Sequence, residues 1–348
     1  MTYKPFDSCK LNAYFYHLIK IAYTQLMPLI TSGFRANGLF KNTHFSTIYS
    51  AKIRQVKDVH QDQERIELPD GDFLDIDWSY SLSRKRTKNV ALLFHGLEGN
   101  AQRAYMLAMA KLLNQQGYDV AAVNFRGCSG GDNRLYRSYH SGETGDMRFV
   151  INMIAQRDMY TSIFLYGVSL GGNALLKYAG EKKAIPTQVK AIATVGVPVD
   201  LKASLEQLNH KENWAYRTSF IFDLRSKYRR KMEKFPEEMT PETYRTIKTL
   251  KDFDDAYTAP AHGFKNALDY YEKASSFEFL PEITIPTLIL NAKNDSFLHG
   301  HCYPNSYASS SKHLFLETPE HGGHVGFYKT GDFYYSELRA LDFFTEKA

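Results

Sequence analysis

Along the chain, short apolar runs take turns with segments whose apolar residues recur every three or four positions. The first regular alternation predicts a hairpin: Arg65-Ile-Glu-Leu68 and Phe73-Leu-Asp-Ile-Asp-Trp78 place apolar and polar residues in turn, with Pro69-Asp-Gly-Asp72 between them. Continuous apolar runs then predict strands buried on both faces at Val90–Phe94, Val120–Phe125, from Ile163 onward, and at Val189–Val197, the sixth core strand. Helical periods separate them. One runs from Arg103 to Gln116 and stops at Gly117. A second carries Met147, Val150, Ile151 and Ile154 on one face, and a third carries Leu170, Ala174, Leu175 and Tyr178. Strands and helices in alternation predict an α/β fold, a mostly parallel central sheet with helices on both faces.

From Pro198 to about Pro260 the strand rhythm stops, and the pattern predicts helices at Leu201–Leu208, Trp214–Met232 and Pro241–Leu250, the last with Thr240 as its N-cap. We read 198–262 as a helical cap inserted after the sixth core strand. Trp214, Tyr216, Phe220 and Phe222 are its candidate pocket aromatics, and the basic run Lys227–Lys231 is expected to be a solvated face. Strands resume at Pro286–Asn291 and Leu314–Leu316, before a C-terminal helix. The expected division is therefore an extension, 1–40, and a single domain, 41–348, that includes the cap. Within the extension, 11–30 predict a short amphipathic helix that packs on the core or rests on a membrane surface; it is too interrupted by His17, Lys20 and Gln25 to span a bilayer. Met27 is an alternative start, which N-terminal sequencing of the protein from its own host would test.

Composition narrows the function class. The net charge of +5 over 348 residues is small, and no aromatic–basic motif for nucleic acid is present, so nucleic acid is not an expected partner. Three cysteines at wide spacing (Cys9, Cys128 and Cys302) argue against a disulfide framework or a zinc site, and point to a reducing, cytoplasmic setting. No metal or other cofactor is expected. Arg126–Asp132 is Gly-rich but lacks the Lys-Ser/Thr ending of a phosphate loop, so a structural turn is expected there, and Glu143 and Asp146 are read as structural residues at a helix start.

The candidate chemistry centres on Gly167-Val-Ser-Leu-Gly171, between a buried strand and a helix. A turn this sharp puts its serine in a strained conformation and leaves no room for a side chain at either glycine. It also aims free backbone N–H groups at whatever the serine attacks. Asp295 and His324 each fall just past a later strand, in the order Ser…Asp…His. In that arrangement Ser169 attacks an acyl carbonyl, His324 carries its proton and Asp295 holds the imidazole; the backbone N–H groups of Leu97 and Leu170 bind the oxyanion. Asp200 rivals Asp295, and His321 rivals His324. Asp295 is preferred because it directly follows the seventh strand, and His324 because its Gly-Gly spacer frees its loop. His95 is read as orienting the loop that holds Leu97, without transferring protons.

Several motifs together resemble the YheT-like α/β-hydrolases, a group related to the eukaryotic abhydrolase lipases. They are Asn42-Thr-His-Phe-Ser-Thr-Ile-Tyr49, His95-Gly-Leu-Glu-Gly99, Asn124-Phe-Arg-Gly-Cys-Ser-Gly130, Tyr139-His-Ser-Gly-Glu-Thr144, Gly167-Val-Ser-Leu-Gly-Gly-Asn173, Phe253-Asp-Asp255, Asp269-Tyr-Tyr271 and His321-Gly-Gly-His-Val-Gly-Phe327. The resemblance runs from about Leu39 to the C-terminus. It implies the α/β-hydrolase fold and a cofactor-free serine esterase acting on short-chain carboxylic esters or acylglycerols, with Ser169, Asp295 and His324 as its charge relay. Where the family usually has a proline after the acidic residue, this chain has Ser296.

Overall fold

The computed structural model describes residues 29–83 and 86–348. Among these, nine strands form one sheet: β1 (Leu29–Ile30), β2 (Asp62–Glu67), β3 (Phe73–Ser79), β4 (Asn89–Phe94), β5 (Asp119–Asn124), β6 (Ser162–Val168), β7 (Val189–Val195), β8 (Thr287–Leu290) and β9 (Leu314–Glu317). Their order is β1-β9-β8-β7-β6-β4-β5-β3-β2, parallel except for the hairpin β2–β3 and its junction with β5. The helix predicted at the N-terminus lies almost wholly outside the described residues. Its last two positions, Leu29 and Ile30, are instead a strand added in parallel to β9, where the sheet's open edge offers backbone partners.

The strand pleat sorts the core into two faces. Val90, Leu92 and Phe94 of β4 point to one cluster, and Ala91 and Leu93 to the other. On the first face lie α3 (Gly145–Ala155) and α4 (Leu170–Gly180), which bury Val150, Ile151, Ile154, Leu175 and Leu176. On the second, α2 (Ala104–Gln115) and the C-terminal helix (Tyr335–Lys347) bury Met106, Met109, Leu113, Phe343 and Phe344. The hairpin departs from its predicted half-polar character. All of β3 is buried, because its polar face is roofed by neighbours that satisfy its acids. Arg65 forks onto Asp75 at 2.8 and 3.0 Å, and Asp77 accepts from Gln63 and Gln102. The turn after β5 is structural as expected: buried Arg126 forks onto Asp146 at 2.6 and 2.7 Å and also reaches Asp72.

After β7 the chain leaves the sheet for α5 (Leu201–Leu208), α6 (Trp214–Met232), α7 (Pro241–Thr246) and α8 (Leu250–Phe253). The predicted helix over 241–250 is two helices. Thr240 caps the first and Thr249 caps the second in a capping box with Asp252, while Ile247 between them is extended and buried. These helices share a small core that includes Leu224, Tyr228, Met239, Ile247, Leu250 and Phe253. The basic run is not the solvated face expected of it. Lys227 and Lys231 are buried on the same helical face as Leu224 and Tyr228, and only Arg229 and Arg230 point outward. No helix among the described residues is long and apolar enough to cross a membrane.

The chain runs from β4 to β5 on one side, then returns to β6 on the other side of β4 before working outward through β7, β8 and β9. The reversal opens a crevice at the C-terminal ends of β4 and β6, which is where an open α/β sheet binds its ligands.

Candidate active site

Two segments meet in that crevice: the turn after β6, which carries Ser169, and the loop after β4, which carries Leu97. Ser169 sits at φ 53°, ψ −118°, the strained conformation expected of the turn. Gly171 makes this possible. A Cβ there would lie 2.5 Å from the carbonyl oxygen of Phe94 and 2.6 Å from that of His95, so a side chain would force the β4 loop away from α4.

Ser169, Asp295 and His324 are brought together. Ser169 Oγ is 2.9 Å from His324 Nε2, and His324 Nδ1 is 2.8 Å from Asp295 Oδ2. The carboxylate accepts, so Nδ1 donates to it and Nε2 is left free to accept from the serine. Asp295, past β8, is held by the Phe297 N–H at 2.8 Å on its other oxygen and is buried. His324, past β9, reaches across the end of β7 because Gly196, at φ +61°, has no side chain to block it. Ser296, where a proline was expected, has its carbonyl held by Asn213 of the cap at 2.7 Å, which fixes the acid loop by another route.

The rivals are placed elsewhere. Asp200 caps α5 through the Ala203 N–H and bonds His301, and His321 is not hydrogen-bonded to Ser169 or Asp295. His95 is buried, donates from Nδ1 to the Gly96 carbonyl and accepts the Phe125 N–H at Nε2. Burial lowers its pKa to about 4, so it is a neutral, fully occupied ring that orients the loop. In that loop the N–H groups of Gly96, Glu98 and Gly99 are bonded to Tyr105, Tyr139 and the Gly96 carbonyl. The N–H of Leu97 has no partner among the described residues, and Leu97 and Leu170, the first residue of α4, both line the crevice.

Two cavities share the wall formed by Ser169, His324, Leu97 and Phe220. The first, about 140 Å³, runs under the cap between Leu201, Leu205, Leu208, Leu224 and Phe253 and includes Asp254. The second, about 290 Å³, lies against Thr47, Ile48, Tyr216, Ser219 and Asp223. Of the four expected pocket aromatics, Phe220 lines both cavities and Tyr216 the second. Trp214 and Phe222 are exposed, at 63% and 72%, because they fall on the outer face of α6.

Sequence reasoning missed some supporting side chains. Thr47, in α1 (Thr43–Ile48), accepts the His324 N–H at 3.0 Å, and the Phe297 ring packs 4.3 Å from the imidazole. The motif around Thr47 was visible only through the family resemblance. Among the described residues, the one cluster with metal-ligand spacing is His140, Glu143 and His262. Burial drives both imidazoles down, to about 3 and about 2, and nearby Lys177 and Arg137 add positive charge that disfavours a cation.

A family model described as "alpha/beta hydrolase fold" matches residues 89–330. The chain is 32% identical over 291 residues to the candidate esterase YheT of Escherichia coli (strain K12), a match covering 83% of this chain and 85% of that protein. It is 28% identical over 307 residues to the phospholipase ABHD3 of Mus musculus, covering 86% and 74%. Among solved structures, a Pyrococcus furiosus esterase, Pf2001, superposes with a TM-score of 0.53 at 14% identity, over 83% of this chain and 92% of that one; at that identity the likeness concerns the fold.

Proposed function

We propose that this chain, which belongs to the α/β-hydrolase family and is a carboxylic ester hydrolase, cleaves short-chain esters or acylglycerols through an acyl-enzyme on Ser169. In this reading His324 Nε2 takes the Ser169 proton as Oγ attacks the acyl carbon, and Asp295 stabilises the imidazolium that results. The N–H groups of Leu97 and Leu170 receive the developing oxyanion, each such donor being typically worth about 3 kcal/mol. His324 then protonates the departing alkoxide. Water enters, gives its proton to His324 and attacks the acyl-enzyme, and the acid leaves with Ser169 reprotonated.

The observation that carries the reading is the continuous 2.9 and 2.8 Å chain from Ser169 through His324 to Asp295, ending in a wall common to two cavities. The apolar cavity under the cap suits the acyl group. At about 140 Å³ it is close to an apolar cavity that holds one benzene, so short chains fit best. The second cavity suits the alcohol portion. Its larger volume also leaves room for an alcohol as acceptor, which makes acyl transfer the second reading.

The test is labelling by a fluorophosphonate probe, wild type beside Ser169→Ala, followed by p-nitrophenyl esters from acetate to laurate. Labelling and turnover are expected to vanish in Ser169→Ala, with kcat down about 10⁶-fold, and wild-type rates to peak among the shorter chains. A folded wild type that takes no label sinks the reading and leaves a binding module on the same fold. Product analysis with added alcohol separates hydrolysis from transfer.

A further inference from the structure

The loop that offers the Leu97 N–H is tied to the cap twice. Leu97's own side chain packs against both the main core and the cap core around Leu224 and Phe253. The next residue, Glu98, is in the left-handed region at φ 48°, a conformation a non-glycine residue keeps only when its surroundings hold it. Its carboxylate receives the Lys227 ammonium of α6 at 2.6 Å and the Tyr139 hydroxyl at 2.7 Å. Its N–H donates to the same hydroxyl, and its carbonyl accepts from Arg103.

The Lys227 side chain is 3% exposed and lies over the Tyr139 ring. Cys128 Sγ is 3.7 Å from its nitrogen, but burial pushes that thiol up to about 11 and keeps it neutral, so Glu98 is the anion Lys227 answers. Burial opposes the charge on Glu98, yet Lys227 beside it holds its carboxyl below the usual range. A buried pair of this kind is weak evidence for stability, because apolar residues of the same shape commonly serve the fold as well. Its location suggests a different use.

We propose that Lys227 is a positioning residue for the reaction: by pairing with Glu98 across the seam between cap and sheet, it holds the Leu97 N–H where the oxyanion forms. The hole is then complete only while α6 is seated. This rests on the Ser169 reading above. Lys227 lines the far wall of the first cavity with its stem, but its nitrogen is turned to Glu98 and away from the reacting atoms; it acts on the transition state through the backbone of the β4 loop.

The experiment compares Lys227→Met, Lys227→Arg and the double variant Lys227→Met/Glu98→Gln, which carries no unpaired buried charge, with wild type. It measures kcat and KM on p-nitrophenyl butanoate. It also measures the affinity of a trifluoromethyl ketone, whose adduct on Ser169 places an oxyanion in the hole, beside that of the matching neutral amide. Lys227→Met is expected to lower kcat by about 10- to 100-fold, the scale of one oxyanion donor displaced rather than deleted, and to weaken the trifluoromethyl ketone in parallel. KM and the amide are expected to stay within about twofold. The double variant should be no worse than the single, since the two residues act as one unit, and Lys227→Arg should recover most of kcat.

If Lys227→Met does not fold, the double variant decides. Wild-type kcat and ketone affinity in the folded double variant overturn the proposal, as does an equal loss of amide binding, or an arginine variant as impaired as the methionine one. Turnover that survives in Ser169→Ala would instead remove the underlying reading, whatever Lys227 does.

Discussion

The sheet and the cap are both buried structures, but different forces hold them. Strands β4, β6 and β8 carry no charged residue, and nearly all their side chains are fully buried. Their position comes from apolar area, which is non-directional and shared among many contacts. The cap core is smaller, and its helix α6 turns three cations inward. Lys227 meets Glu98, Lys231 donates to the carbonyls of Leu135 and Tyr136, and Arg225 donates to those of Tyr244 and Ile247. Few and directional, these contacts make the cap's seat depend on single residues. The same difference explains why the catalytic candidates stand on the sheet and the pocket wall on the cap. Proton transfer needs a rigid frame, while a pocket wall can be retuned without disturbing it.

Substitutions can break or sharpen this contrast. Gly171→Ala has the largest expected effect, because the added Cβ would meet two backbone carbonyls that have nowhere to go. We expect about 3 kcal/mol lost from the whole sheet, read as a lower urea midpoint at unchanged slope, with activity lost as the Ser169 turn shifts. A wild-type midpoint would mean that the β4–α4 seam is as adaptable as the cap.

Asp254 tests the cap side. It lines the cavity, where Tyr271 and Thr258 donate to it, and burial raises its pKa from the usual value to about 6. Between the unfolded value and 6 the folded state therefore binds the extra proton. The stabilisation is present below the unfolded pKa and fades as pH rises through 6. Wild type is expected to lose up to about 2 kcal/mol between pH 4 and pH 7 relative to Asp254→Asn, measured by urea melts at both pH values. Parallel pH profiles would show Asp254 to be solvated in the folded state.

Asp200→Ala has the smallest expected effect. It removes the N-cap of α5, at a cost of about 1 kcal/mol, and should leave kcat within about twofold. A collapse of kcat would return Asp200 to its rivalry with Asp295.

The serine turn was legible in the sequence because its constraint is local: strand, glycine, serine, glycine and helix are neighbours in the chain. The alternation of strands and helices was legible for the same reason. The basic run was misread although its helical phase was plain, since nothing near Lys227 in sequence points to Glu98, 129 positions away. Trp214 and Phe222 were misassigned in the same way, because the hydrophobic pattern of α6 does not say which side faces the cavity. Thr47, Asn213 and Phe297 likewise acquire their roles only where distant segments meet.

The sequence by itself determined the mostly parallel α/β plan, the run of helices from Pro198 onward, and the placing of Ser169, Asp295 and His324 each just past a strand. Backbone sterics and side-chain periodicity act over a few residues, so they are written where they act. Only the tertiary structure decided that Asp295 rather than Asp200 meets His324, that two cavities share the wall at Ser169, and that the cap grips the Leu97 loop through a buried lysine. Those outcomes depend on which long-range contacts close together, and that is set by the packing of the whole chain.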